Sequence, residues 1–175
     1  MKKRHFQSSK ALMLLSSCSL LLACNSNPTD HSVYIECPQQ RTTEMAPAVT
    51  ASKLNPLVVN GDNLKAGKEL FLSDAKPLAC AECHGDRGDG NGPMAYMFEP
   101  RPRNFTCADD ISTLPDGQLY WIIKNGSIGT SMPAFDKLSD GEIWQLTLYI
   151  RSLSQTSSKK QNSESVQSGA ATLSL

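Results

Sequence analysis

The pentapeptide Cys80-Ala81-Glu82-Cys83-His84 constrains this 175-residue chain more than any other stretch. Two thiols at this spacing occur in zinc sites, redox dithiols and cofactor attachment sites. A structural zinc site needs four ligands, usually in two pairs, but the other thiols after residue 23 are scattered singly, at Cys24, Cys37 and Cys107. A redox dithiol needs a strand–CxxC–helix setting in an α/β fold, and the flanks here favour helices and glycine-rich turns.

A cysteine pair followed directly by a histidine favours a third chemistry, the covalent attachment of a c-type haem. Cys80 and Cys83 would add as thioethers to the two vinyl groups of the porphyrin, because one helical turn sets both sulfurs at its edge. His84 would then bind the iron as its proximal ligand. We therefore predict one covalently bound haem c as the cofactor.

The first 23 residues have the pattern of a secretory signal. Four basic residues precede an apolar run over residues 11–23, which is short for a membrane span of roughly 20 apolar residues. The end of that run, Leu21-Leu22-Ala23-Cys24, resembles a bacterial lipoprotein box, whose cysteine becomes the lipidated first residue. Cleavage near Ala23 without lipidation is the alternative, and it would leave Cys24 as a spare thiol.

This signal predicts an exported protein on the periplasmic side, bound to a membrane by a lipid on Cys24. The residue after Cys24 is Asn25. An aspartate at this position would resemble an inner-membrane retention signal of bacterial lipoproteins. We therefore expect the outer membrane rather than the inner one. Export also makes structural disulfides possible.

Composition divides the rest of the chain into three parts. Residues 24–59 and 154–175 are rich in small polar residues and show no apolar period, so they predict a flexible tether and a disordered tail. Residues 60–153 hold the cysteine motif and the helix patterns, and form the predicted domain. After residue 23 the chain has 13 basic and 17 acidic residues, a balance that argues against a nucleic-acid partner.

Helix signals within that domain predict an all-α fold. Asp62 can cap a first helix, and Ser139 with Glu142 fits a capping box at the start of the last one. A further helix is predicted from about Pro115 to Lys124, where Asn125-Gly126 follows as a C-terminal signal. One face of the first helix holds Leu64, Gly67 and Phe71. We expect Gly67 to allow a second backbone to approach closely.

Together, the attachment motif, the segment "GTSMPAF" at 129–135 and the last helix "EIWQLTLYIRSL" resemble a monohaem class I cytochrome c. The resemblance covers residues 60–153. It implies a small helical domain wrapped around one haem, in which the first and last helices cross at a close contact. Gly67, Phe71 and Tyr149 match the crossing positions of that family.

The resemblance also implies that Met132 is the distal iron ligand. A thioether opposite a histidine suits iron and raises its reduction potential, and Pro133 stiffens the loop. Met94 and Met97 are rivals, because the ten residues that separate Met94 from His84 can extend about 33 Å.

The sequence leaves the roles of three further groups of residues undecided. Arg101 or Arg103 would pair with a haem propionate, or else both are solvated surface charges. In the family a proline carbonyl accepts a hydrogen bond from the proximal histidine; Pro93 is the first candidate here, and the others are Pro100 and Pro102. Cys37 and Cys107 would form a disulfide, with Cys24 as a competitor if it is not lipidated.

These features predict a periplasmic one-electron carrier that moves between redox partner proteins and has no small-molecule substrate of its own. Two axial side chains leave no open position on the iron, so an enzyme is not expected. The alternative is a fixed electron-relay subunit of a larger membrane oxidoreductase complex.

Overall fold

The computed structural model describes residues 37–39 and 42–170. The predicted signal peptide and the predicted lipidation site, Cys24, lie outside these residues. The described chain contains helices α1 (Ala48–Ala51), α2 (Gly61–Glu69), α3 (Ala81–His84), α4 (Ala108–Ser112), α5 (Asp116–Asn125) and α6 (Asp140–Ala170). A π-helical turn extends α2 over Leu70–Asp74, and a short 3-10 turn covers Ala95–Met97. No strand occurs in the described residues, and the predicted all-α fold is confirmed.

Helix α2 begins two residues earlier than the sequence pattern indicates. The side chain of Asn60 accepts a hydrogen bond from the backbone amide of Asn63 at 2.8 Å, so Asn60 is the N-cap. Asp62, which the sequence suggests as the cap, lies instead in the first helical turn. There its negative charge still stabilises the positive end of the helix dipole.

The crossing of α2 and α6 forms the centre of the fold. A Cβ atom added at Gly67 would lie 2.2 Å from the carbonyl oxygen of Gln145 on α6. One turn farther along, Phe71 is fully buried and its ring meets that of Tyr149 edge to face, with 5.3 Å between the ring centroids. The crossing therefore buries Gly67, Phe71 and Tyr149, the three residues that the family resemblance assigned to it.

Helix α6 begins with the predicted capping box. The Glu142 carboxylate accepts hydrogen bonds from the Ser139 amide and hydroxyl, both at 2.7 Å, and the Glu142 amide donates to Ser139 Oγ. Helix α5 ends at Asn125, and Gly126 follows with a φ of 79°. Both boundaries lie within one residue of those that the sequence predicts.

The helix α6 continues to Ala170, although the sequence predicts a disordered tail from residue 154. Residues 154–170 contain no proline. They also follow turns that are already packed, and adding a residue to an existing helix costs far less than nucleating a new one. Lack of an apolar period therefore does not end the helix.

The N-terminal strap, residues 37–39 and 42–59, packs against the helices, although the sequence predicts a flexible tether up to residue 59. A disulfide joins Cys37 to Cys107. The fully buried side chain of Gln118 accepts from the Ala46 amide at 2.7 Å and donates to the Glu44 carbonyl at 2.8 Å. The strap is ordered by partners far away in sequence, which its own composition does not reveal.

No helix in the described part of the chain is both long enough and apolar enough to cross a membrane.

Candidate functional site

A single apolar-walled cleft brings together the four side chains that the sequence predicts around a haem. Cys80, Cys83, His84 and Met132 all line it. It encloses about 1200 Å³ of space when its open mouth is included. The surrounding walls are mainly aromatic and aliphatic, with contributions from Phe71, Phe105, Ile111, Ile123, Phe135 and Leu146.

Helix α3 sets the spacing of the attachment motif. The amides of Cys83 and His84 both donate to the Cys80 carbonyl, at 3.2 and 2.9 Å, so the two cysteines are separated by one helical turn. The helix ends at His84, and Gly85 follows with a φ of 79°. The glycine-rich loop then folds back onto it, because the Gly92 amide donates to the Cys83 carbonyl at 3.1 Å.

Both motif cysteines are free thiols whose pKa values are raised. Burial raises the pKa of Cys80 to about 12. Burial, and next the negative charge of Glu82, raises the pKa of Cys83. A redox dithiol works through a cysteine of lowered pKa, so these surroundings argue against the redox alternative. Among the described residues, no three His, Cys, Asp or Glu side chains form a group that could hold a metal ion.

The imidazole of His84 is buried and held on two sides. Its Nδ1 lies 2.9 Å from the carbonyl oxygen of Arg103, and its ring stacks on Phe105 with 4.3 Å between centroids. A carbonyl only accepts hydrogen bonds, so Nδ1 carries the proton and donates. The metal-binding lone pair is then on Nε2.

The residue that orients His84 differs from the sequence prediction. The prediction names the carbonyl of Pro93, with Pro100 and Pro102 as alternatives, whereas the acceptor is Arg103. The segment after Pro102 runs past the imidazole, and the Phe105 amide is fixed by a 2.7 Å bond to the Gly88 carbonyl. The register of this segment depends on such tertiary bonds, which the position of a proline does not predict.

The two predicted propionate partners, Arg101 and Arg103, both line the cleft. The guanidinium of Arg103 also pairs with Asp110 at 3.4 Å and donates to Thr43 Oγ1 at 3.3 Å. Both members of the ion pair are largely buried, with 15% and 8% of their side chains exposed. A propionate contact by either arginine stays a prediction.

Met132 lies on a loop that is folded back onto the end of α5. Its carbonyl accepts from the Ser127 amide at 3.2 Å, and its amide donates to Thr130 Oγ1 at 3.2 Å. The rivals Met94 and Met97 are not among the residues that line the cleft, and Met97 is 51% exposed. The structure thus brings Met132 to the cleft that holds His84.

Sequence reasoning missed the contribution of the strap to this site. Thr42 and Thr43 line the cleft, and Gln39 contacts the segment that carries the Arg103 carbonyl. All three lie in a polar stretch that is typical of a linker. The sequence signal that this stretch is attached to the domain was Cys37, a cysteine outside the attachment motif, which was predicted to form a disulfide with Cys107.

Comparison with known proteins gives one family and one structural relative to report. The family model described as cytochrome c oxidase, cbb3-type, subunit III matches residues 62–150, about half of the chain. A chain of the Kuenenia stuttgartiensis reducing HAO-like protein complex Kustc0457/Kustc0458 is 32% identical, with a TM-score of 0.46. That match covers 56% of this chain and 46% of the other. No curated protein matches.

The donor set fits a covalently attached haem. It offers two thiols one helical turn apart, a histidine whose Nδ1 is already engaged, and a thioether on the same cleft. The walls are predominantly apolar, as in most cofactor sites.

Proposed function

The chain belongs to the family described as cytochrome c oxidase, cbb3-type, subunit III, and from that premise we propose that it transfers single electrons through one haem c with His84 and Met132 as axial ligands. Membership in this family of c-type cytochrome domains implies a covalently bound haem c and haem-based electron transfer. The number of haems and the axial ligands are our proposal.

The observation that carries the proposal is the convergence of Cys80, Cys83, His84 and Met132 on one apolar cleft. A bound haem supplies an iron that gains and loses one electron. Cys80 and Cys83 would hold it covalently, and the bond from Nδ1 to the Arg103 carbonyl orients His84 so that its Nε2 could bind the iron. Met132 would be the second iron ligand, and the apolar walls would exclude water. A protein built this way moves electrons and has no position for a substrate on the metal.

We propose that the protein is exported, that Cys24 is lipidated, and that the domain works at the periplasmic face of a membrane, the outer one in preference. The support is the sequence pattern of residues 1–24. Its partners are then an electron donor and an electron acceptor, both of them redox proteins.

A fixed relay is the second candidate, because the matching family is described as a subunit of an oxidase. Gentle solubilisation of native membranes separates the two possibilities. A relay co-purifies with partner chains in a constant ratio through several chromatographic steps. A shuttle is recovered alone and exchanges electrons with added partners.

Haem attachment tests the proposed function itself. Protein made with a haem-attachment system is denatured and extracted with acidified organic solvent, and its mass is measured. We expect its mass to exceed that of the same protein made without haem by the mass of one haem. The variant Cys80→Ser/Cys83→Ser should lose its haem under the same extraction. Wild-type protein that releases its haem, or never binds one, contradicts the proposal.

A further inference from the structure

The side chain of Gln39 brackets the residue that orients His84. Its Oε1 accepts a hydrogen bond from the Asn104 amide at 2.8 Å, and its Nε2 donates to the Pro102 carbonyl at 3.4 Å. One carboxamide thus contacts the backbone immediately before and immediately after Arg103. The Arg103 carbonyl between these two contacts is the one that lies 2.9 Å from His84 Nδ1.

The backbone of Gln39 is itself anchored. Its amide donates to Asp110 Oδ2 at 2.9 Å, and the other oxygen of that carboxylate pairs with the Arg103 guanidinium. Two residues before Gln39, Cys37 is joined by its disulfide to Cys107. The bond to Asp110 and the disulfide to Cys107 therefore both attach this part of the strap to the start of α4, which keeps Gln39 beside residues 102–104.

We propose that Gln39 is a positioning residue for His84. It holds the Arg103 carbonyl in place, and through that carbonyl it lowers the reduction potential of the iron. This inference rests on the proposed function. A hydrogen bond from the second ring nitrogen makes a ligating imidazole more basic, and a more basic ligand stabilises ferric over ferrous iron. Loosening the Arg103 carbonyl weakens that bond and favours uptake of the electron.

The disulfide belongs to the same arrangement. Removing the disulfide frees the end of the strap that carries Gln39. The reduction potential of the iron should then rise, as it should when the Arg103 carbonyl is loosened. The strap, which its composition assigns to a passive linker, then tunes the metal site. The Gln39 side chain makes two of the hydrogen bonds that hold the backbone around the Arg103 carbonyl.

The test compares the neutral, nearly isosteric variant Gln39→Met with the control Asn55→Leu, both as holoprotein. Asn55 is a matched choice because it also lies on the strap, is partly buried, and bridges two backbone groups. Its Nδ2 donates to the Trp144 carbonyl at 2.9 Å and its Oδ1 accepts from the Leu57 amide at 2.9 Å. It does not line the cleft.

For Gln39→Met we expect the equilibrium constant for reduction, measured against a common redox couple, to rise about two- to tenfold, the range of one ordinary hydrogen bond. Low-temperature electron paramagnetic resonance should show altered ferric g-values, which report the orientation of His84. Amide hydrogen exchange at Asn104, a readout independent of the haem, should become faster. Asn55→Leu should change none of the three.

Two results would overturn the inference alone: an unshifted potential in Gln39→Met, or an equal shift in Asn55→Leu. In either case the wild-type spectrum still shows covalent haem with methionine ligation, so the proposed function stands. Wild-type protein without covalent haem overturns both. If Gln39→Met does not accumulate, Cys37→Ala/Cys107→Ala replaces it, with the same expected direction and the same contradicting result.

Discussion

At the scale of single residues, the crossing of the first and last helices depends on the side chain that Gly67 lacks. A Cβ atom there would lie 2.2 Å from the Gln145 carbonyl oxygen and 2.7 Å from its carbonyl carbon, both of them backbone atoms that cannot rotate away. The two helices would have to move apart, and the contact between Phe71 and Tyr149 would open with them.

We predict that Gly67→Ala lowers the free energy of unfolding by about 1–3 kcal/mol, the usual cost of overpacking a core. Urea unfolding followed by circular dichroism measures it. Gly61→Ala is the matched control, because Gly61 lies in the same helix and an added Cβ meets nothing within 4 Å. The control should be neutral or slightly stabilising, since alanine is the better helix former. Equal losses in both variants would contradict the crossing as described.

At the scale of elements, the capping box makes the start of α6 sensitive to acid. The hydroxyl of Ser139, and next its backbone amide, donate hydrogen bonds to the Glu142 carboxylate and lower its pKa below the ordinary value of 4.5. A group whose pKa is lower in the folded state stabilises the fold above its unfolded pKa. That contribution is lost as the pH falls through the folded pKa.

We therefore predict that Glu142→Gln removes part of the acid sensitivity of unfolding. Its stability difference from the wild type should be constant above about pH 5 and should shrink as the pH falls below 4.5. Denaturant unfolding at several pH values measures it. Ser139→Ala, which removes the other half of the box, should cost about 1 kcal/mol at pH 7. An unchanged pH slope in Glu142→Gln would show that the box does not form in solution.

A second prediction at the scale of elements concerns the disulfide that attaches the strap to the domain. The Cys37–Cys107 disulfide closes a separation of 70 residues, for which the chain-entropy account gives a stabilisation of about 4 kcal/mol. Cys37→Ala/Cys107→Ala should lose most of this amount in urea unfolding, under conditions where the wild type keeps its disulfide. Mass spectrometry of unreduced peptides is the direct check on the wild type. Finding both Cys37 and Cys107 as free thiols would contradict the prediction.

At the scale of the whole molecule, local patterns predict the helices better than the way the chain assembles around the cleft. The helix predicted from Pro115 to Lys124 is observed at Asp116–Asn125, because its boundaries depend on nearby residues. The strap was missed since its partners are distant: Gln39 and Asp110 are 71 positions apart, and Ala46 and Gln118 are 72 apart.

The candidate site divides in the same way. The sequence spacing alone indicates Cys80, Cys83 and His84, because they lie on one helical turn. Met132 followed from resemblance to a family, and its position on the cleft depends on the folding of a loop onto α5. The acceptor for His84 was predicted among prolines and proved to be Arg103, because a shift of one residue in an irregular segment has no sequence signal.

The central claim is that Met132 is the second axial ligand of the iron. Carbon monoxide binding tests this claim most directly, because carbon monoxide needs a free coordination position. Absorption spectra are recorded for ferric, ferrous and carbon monoxide-treated ferrous protein, for the wild type, Met132→Ala and the control Met97→Ala. We predict that carbon monoxide leaves the wild type and Met97→Ala unchanged and binds Met132→Ala at once. The ferric wild type should also show the weak red band of sulfur-ligated iron, and Met132→Ala should lose it. Immediate carbon monoxide binding by the wild type, or a Met132→Ala protein that keeps the red band, would contradict the account.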